Sequence, residues 1–419
     1  MANDVNVPKN HWLAVMVVAF GYFVDLYDLF LFSSVRVRSL ADLGITGAAS
    51  TAWATTLMNW TVLGMVIGGV VWGIIGDKKG RLSVLFASIV TYSLATGLNA
   101  FVNDIVSYQV LRFIAGFGLA AELGTGIALV TELMPKENRT YATMVIAATG
   151  MFGAVSAGLV ANFTEGVTIW GMAGWRFAFL VGALLGFALL LFRISMQESD
   201  IFKQVNDNQN KGDFWFLVSN KERRSRFIHC ILVGLPYFFI VGLLLVLAKE
   251  FGEAHGLTEI PKPATAIIIA YLGISLFDIF GNYISKQLKS RKKVLLLTLV
   301  FQIVAVIAYF YAPLSNLTGF YICCFFLGAS IGTGWGVLVT NAAEQFGTNL
   351  RATVTASTPN FIRGLLFPLT EFAFKPLMKS GFGLINSAAL VTFGCIAIAF
   401  WAASKLEDKF ENNADYIEV

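Results

Sequence analysis

Stretches of about 20 apolar residues, each long enough to cross a bilayer as a helix at about 1.5 Å per residue, recur along this chain. Twelve can be drawn, at 13–32, 55–75, 82–101, 107–133, 141–160, 177–194, 227–247, 264–284, 294–311, 317–340, 352–377 and 382–404. Hydrocarbon offers no hydrogen-bond partners to a backbone, so such stretches must satisfy themselves as helices. Charged residues make up 13% of the chain, against about 25% in a soluble protein, so lipid must solvate most of the surface. The basic residues are spread over short loops with no single stripe, which argues against a nucleic-acid partner. Cys230, Cys323, Cys324 and Cys395 lie inside apolar stretches, and His11, His229 and His255 are scattered. Neither a metal site, a disulfide framework nor a cofactor is expected. With no nucleophile–base constellation and no nucleotide loop, the pattern does not describe an enzyme.

A charged gap rich in Asn and Gln at 195–226 divides the chain. It separates an N-terminal unit, 1–194, from a C-terminal unit, 227–404, each with six stretches. The gap reads as a cytoplasmic linker with a short surface helix around Phe214-Trp215-Phe216, and the polar tail, 405–419, reads as mobile. The N-terminus lacks a cleavable signal pattern, so the first stretch is expected to be retained. The two units repeat one plan. Glu132 and Arg139 recur as Glu344 and Arg351, and Gly116 and Gly124 recur as Gly328 and Gly336, all at an offset of 212 residues. Internal repeats within a lipid-soluble chain point to a transporter with a binding site between its halves.

The turn Gly76-Asp77-Lys78-Lys79-Gly80-Arg81 has a degraded copy, Ser285-Lys286-Gln287-Leu288-Lys289-Ser290-Arg291. Its glycines suit a tight connection and close helix approach. Asp77 can pair with a base or a helix N-terminus, and Arg81 can reach a carboxylate at a neighbouring helix end. Such a cluster can lock one face of a transporter, or simply fix its topology. The segment resembles the signature between helices 2 and 3 of the major facilitator superfamily. Arg112-Phe-Ile-Ala-Gly116-Phe-Gly118 resembles that family's Arg-x-x-x-Gly-x-Gly signature, and Glu132-Leu-Met-Pro135-Lys-Glu-Asn-Arg139 its Glu-x-x-Pro-x-x-x-Arg turn. The resemblance implies an all-α integral membrane protein with twelve transmembrane helices in two six-helix bundles. It also implies gating roles for Gly76, Asp77, Gly80, Arg81, Glu132, Arg139, Glu344 and Arg351. The second-half turn departs from the pattern, with an extra residue, no Asp and Ser290 in place of the glycine. Asp25-Leu26-Tyr27-Asp28, and an acid at Glu122, resemble the metabolite:proton and sugar-porter-like branches. The fifth stretch lacks the Gly-Pro pair typical of drug antiporters.

Charges within the stretches point to a mechanism. Asp28 lies about 23 Å up the first stretch and Arg112 about 8 Å down the fourth, which runs the other way, so both reach nearly the same depth in a core of about 30 Å. An Asp28–Arg112 pair is expected, either as a proton-controlled switch or as a permanent brace. Asp25, one turn below Asp28, and Glu122, deeper on the fourth stretch, are candidates for proton relay. Asp278 is placed toward the inner side, near Lys286. Arg363 sits about 17 Å into the eleventh stretch, where its fork suits an anionic group, and Pro359 and Pro368 would loosen that helix. Glu371 and Lys375 suit an i, i+4 pair at its outer end. Tyr22, Tyr27, Trp60, Tyr237, Trp335 and Phe361 are candidate cavity aromatics, with Tyr27 and Trp335 placed at the substrate.

The reading is a monomeric secondary transporter of a bacterial inner membrane, taking up a small polar metabolite with protons by alternating access. A carboxylate ranks before a sugar or amino-acid-like solute, and phosphate comes third. The alternative is a proton-coupled efflux antiporter, and a sensor on a transporter fold is a further rival. With both termini inside, cytoplasmic segments carry 21 Lys and Arg residues and outer segments 7, and the positive-inside rule decides for that orientation. A fluorescent protein fused after Val419 is therefore expected to fluoresce, and alkaline phosphatase fused there to stay inactive. Active phosphatase would reverse the topology.

Overall fold

The computed structural model describes residues 11–134, 136–193, 214–347, 349–410 and 418, and some side chains within these ranges are left aside. Helices dominate. The first part of the chain forms α1 (His11–Asp42), α2 (Ala48–Lys79), α3 (Arg81–Asn99), α4 (Ile105–Leu119), α5 (Glu122–Leu133), α6 (Lys136–Phe163) and α7 (Gly174–Arg193). A two-residue hairpin, β1 (Thr168–Ile169) and β2 (Met172–Ala173), joins α6 to α7. Its turn at Trp170 and Gly171 has positive φ at both residues, as tight hairpins favour. The later part forms α8 (Phe214–Ser219), α9 (Lys221–Val233), α10 (Leu235–Phe239), α11 (Ala248–Ala254), α12 (Pro263–Leu288), α13 (Arg291–Tyr311), α14 (Leu317–Glu344), α15 (Arg351–Gly364), α16 (Leu366–Pro368), α17 (Lys375–Lys379) and α18 (Gly383–Lys405).

Eleven helical spans among the described residues are long and apolar enough to cross a membrane, where the sequence reading drew twelve. The difference lies at 352–377. That stretch is helical but broken into α15, α16, a π-helical turn Leu369–Phe374 and α17. Pro359 lies inside α15 and Pro368 ends α16, and each removes a backbone donor from the ladder. A second π-helical turn, Ile240–Leu245, follows α10. The stretch 107–133 is also two helices, parted at Ala120 and Ala121. Side chains take carbonyls at that break: Trp72 Nε1 donates to Phe117 O at 2.7 Å, and Asn360 Nδ2 donates to Ala120 O at 2.9 Å. The first stretch runs on to Asp42, so Arg36 and Arg38 lie within α1 rather than in an outer loop.

The repeated glycines mark where helices cross. A Cβ on Gly116 would stand 2.0 Å from Thr61 O, and one on Gly328 would stand 1.9 Å from Ala270 O. The same contact is thus built twice, between α4 and α2 and between α14 and α12. Gly124 and Gly336 do not share a partner. Gly124 meets Ala356 of α15, in the other half of the chain, whereas Gly336 meets Asp278 and Asn282 on α12.

The two parts of the chain touch at both ends. Toward one end, Gly73 of α2 lies against Thr353, and Gly124 against Ala356. Toward the other, Arg36 meets Glu250 at 3.2 Å and Lys262 meets Glu165 at 2.7 Å. The tail expected to be mobile is tied down where it is described. Asp408 accepts from Ser290 Oγ and from Arg291 N at 3.0 Å, and Glu418 pairs with Arg226 at 3.1 Å. Helix α8 covers the aromatic run foreseen as a surface helix, while linker residues 195–213 lie outside the described residues.

Replacing Gly328 by Ala is expected to force α14 from α12 and destabilise the fold by about 1–3 kcal/mol. Thermal unfolding in detergent measures this, and an unchanged melting temperature would contradict the crossing.

Candidate functional site

Helix α1 carries three polar groups on one inward side: Tyr22, Asp25 and Asp28 are spaced i, i+3 and i+6, and all are buried. Asp28 Oδ1 accepts from Thr96 Oγ1 at 2.6 Å, and its Oδ2 lies 3.9 Å from Arg112 Nη1. Arg112 Nε donates to Thr61 Oγ1 at 3.1 Å, and its guanidinium stands 5.5 Å from the centre of the Phe32 ring. The gap of 3.9 Å makes this a loose pair, because the hydrogen bonds of each member go to threonines. Asp25 differs from its neighbour: neither carboxylate oxygen has a hydrogen-bond partner.

Glu122 is engaged on both oxygens. Arg193 Nη2 donates to Oε2 at 2.6 Å and Nη1 to Oε1 at 3.1 Å, and Ser88 Oγ also donates to Oε1 at 3.1 Å. Arg193 Nη1 further meets Leu85 O at 3.1 Å. The sequence reading gave Arg193 no role at the site, yet its side chain is wholly buried at the end of α7. Gly21 makes the room, since a Cβ there would lie 2.3 Å from Arg193 Nη2. Glu122, a relay candidate in the sequence reading, is thus clamped on both oxygens. The signal in the sequence was a basic residue closing an apolar stretch opposite an intramembrane acid.

Between the two parts of the chain lies a small cavity of about 30 Å³ lined by buried residues, room for about one water. Tyr22, Tyr237, Tyr271, Met151, Trp335 and Arg363 are among its lining. Arg363 is buried, with Nη1 donating to Asn360 Oδ1 at 3.1 Å and Nε without a partner. The Trp335 ring centre is 6.3 Å from that of Tyr237, whose hydroxyl is also unpartnered. Trp335 and Arg363 therefore line this cavity. Tyr27 does not: its hydroxyl donates to Ala178 O at 3.1 Å and its ring packs away from the cavity. Trp60 and Phe361 line a separate apolar groove between α2 and α15.

The turn residues divide as well. Gly80 has φ of 101°, which favours glycine, whereas a Cβ on Gly76 would meet nothing closer than 3.7 Å. Arg81 is buried and donates to Gly76 O at 2.5 Å. The side chains of Asp77, Glu132 and Arg139 lie outside the described residues. At the degraded second turn, Arg291 grips Glu344 with Nη2 to Oε1 at 3.0 Å and Nε to Oε2 at 3.2 Å. Arg351 opens α15 and is half-buried. Asp278 is not held near Lys286. It accepts from Gly336 N at 2.9 Å, while the Lys286 ammonium stands 5.0 Å from the centre of the Tyr141 ring. Lys375 and Glu371 form the expected pair.

The Major Facilitator Superfamily profile matches residues 18–369, most of the chain. The chain belongs to the major facilitator superfamily. It is a multi-pass membrane transporter and not an enzyme. A putative metabolite transport protein of Haemophilus influenzae is 28% identical over 366 residues, covering 84% of this chain and 85% of that protein. A putative niacin/nicotinamide transporter of Bacillus subtilis is 25% identical, covering 91% and 94%. Among solved structures, a proton:xylose symporter superposes with a TM-score of 0.73 at 15% identity, covering 98% of each chain. That likeness shows the shared fold.

Replacing Arg193 by Ala in the transporter leaves Glu122 as an unpaired buried charge and is expected to cost about 3–5 kcal/mol. The double replacement Glu122→Gln with Arg193→Gln is expected to cost less. Thermal unfolding of the three variants decides, and a double variant no better than Arg193→Ala would remove the pair as the cause.

Proposed function

We propose that this transporter takes up a small organic anion together with protons, by alternating access at the cavity between its halves. One observation carries the reading. Arg363, buried with an unused Nε, faces a cavity between the halves, while Asp25 stands one turn from the cavity residue Tyr22 with both oxygens unbonded. The arginine supplies a fork for a carboxylate. A proton supplies Asp25 with what the protein does not, since an ionised carboxylate lacking donors bears the cost of a buried charge. Asp28, loosely held by Arg112, serves as a second protonation step. The names of relatives support the class: one is described as a niacin/nicotinamide transporter and a structural neighbour as a proton:xylose symporter. Each proton moved inward contributes about 2.3 kcal/mol per 100 mV, and uptake stores that work as a solute gradient.

The proposal includes the topology and organisation. Bundles 1–194 and 227–404 rock about the cavity, the linker 195–226 lies in the cytoplasm with both termini, and the unit is a monomer in a bacterial inner membrane. Gly73 against Thr353 and Gly124 against Ala356 hold one end closed between the bundles and part in the other state, while Arg291–Glu344 and Arg81 with the Gly76 carbonyl, each inside one bundle, fix the turns beside that end.

Two outcomes are expected in proteoliposomes. Asp25→Asn abolishes accumulation driven by an inward proton gradient but spares exchange of labelled substrate; full proton-driven accumulation in this variant would remove Asp25 from coupling. Arg363→Lys raises the half-saturation for a carboxylate substrate about tenfold, because one point charge replaces a two-donor fork. Unchanged affinity would take Arg363 out of the site.

A further inference from the structure

A second, polar pocket lies at the end of α1 remote from His11, separate from the central cavity. Its volume is about 290 Å³, and Arg36, Ser50, Thr51, Lys249, Glu250 and Glu253 are among its lining. Arg36 is some 25 residues into α1, about 37 Å along it, which puts the pocket at the outer membrane face in the proposed topology. Arg36 joins the halves there. Its Nη2 donates to Val246 O at 3.0 Å and to Glu250 Oε1 and Oε2 at 3.2 and 3.3 Å. Val246 follows the π-helical turn Ile240–Leu245, and at Leu247 the chain leaves helical geometry before α11. That break exposes the carbonyl that Arg36 takes.

The two members of this ion pair are not equivalent. The Arg36 side chain is 2% exposed and fixed by a backbone carbonyl, whereas that of Glu250 is 23% exposed. Glu250 can swing outward; Arg36 cannot. The fork is also underused, because Arg36 Nε is buried without a partner while both Glu250 oxygens crowd Nη2. A carboxylate held by Nε and Nη2 together would make the bidentate pair that Glu250 does not. Lys249 adds positive charge to the pocket, and its bond to Glu253 is long at 3.8 Å and exposed.

We propose that this pocket is a capture site for a carboxylate solute, which takes the place of Glu250 on Arg36. Glu250 is a built-in stand-in for the solute. Displacing it removes a contact that ties α1 to α11, so arrival of an anion frees the outer end of the transporter to open. The inference rests on the organic-anion reading and adds to it a first, outer station with its own selectivity for charge.

The test uses full-length protein in proteoliposomes, with nicotinate and benzoate as probes and their amides, nicotinamide and benzamide, as uncharged counterparts. Spin labels at Ala49→Cys and Ala254→Cys, both exposed and neither lining the pocket, report the separation of the outer ends. The acids are expected to lengthen that separation and the amides to leave it unchanged. Arg36→Lys keeps the charge but loses the fork, and is expected to raise the midpoint of the response about tenfold. Glu250→Gln removes the competitor, and is expected to lengthen the separation without a probe and to lower the midpoint. These opposite signs identify a displaced stand-in. A midpoint raised alike by both variants would mark a structural brace and overturn the proposal, as would amides that open the transporter as well as acids do. Acid-driven proton currents with unmoved labels overturn the capture site alone. Absence of both currents and movement overturns the anion reading with it.

Discussion

Charges packed between membrane helices must find their partners within the protein, because hydrocarbon supplies none. Much of this structure follows from how that demand is met or left unmet. Glu122 meets it fully through the two-donor grip of Arg193 and the Ser88 hydroxyl. Asp28 and Arg112 meet it in part, each leaning on a threonine at a separation of 3.9 Å. Asp25 does not meet it at all. The gradation along one bundle runs from a carboxylate clamped on both oxygens to one without a donor. A bidentate, buried pair is costly to break; a carboxylate without donors gains most from a proton.

The same logic orders the contacts between the halves. Near the middle, Asn360 of α15 takes a carbonyl freed at the break between α4 and α5, and its own carbonyl oxygen accepts from Arg363. One residue thus ties Arg363 to a weak point of the opposite half. π-helical turns in the segments after α10 and α16 loosen the helices that border the cavity and the outer pocket, and such turns are frequent at functional sites. The cavity, with room for about one water, is flanked by contacts between the halves toward both ends, and the proposed alternating access needs those contacts to be few and separable. Ion pairs and glycine contacts meet that need better than a continuous apolar seam would.

The internal repeat persists in places where its sequence has decayed. The second turn has lost its Asp and a glycine, yet Arg291 still meets Glu344 through two bonds, and Ser290 caps α13 by accepting from Lys293 N. Lys289 takes the left-handed conformation before it, at φ of 45°. The contact at this turn depends on the arginine and the helix ends, and several local sequences can supply those. By contrast, Gly124 and Gly336 look equivalent in the sequence but pack on different partners, so a shared offset does not guarantee a shared contact.

The sequence by itself determined the membrane class, most of the helical spans, the repeat and the superfamily, because hydrophobic length and short motifs are local properties. It also brought Asp28 and Arg112 to one depth, since helix rise alone fixes that, and it placed Trp335 and Arg363 toward the centre. Only the tertiary structure decided which way each side chain turned. Tyr27 lies between two acids in sequence yet spends its hydroxyl on α7; Trp60 and Phe361 face a lateral groove. Arg193 and Arg36 read as loop charges because each closes an apolar run, and only packing shows one bound inside the first bundle and the other reaching across to the second half. Rotation about a helix axis and pairing between distant helices depend on the neighbours, and neighbours are what a linear reading of spans does not contain.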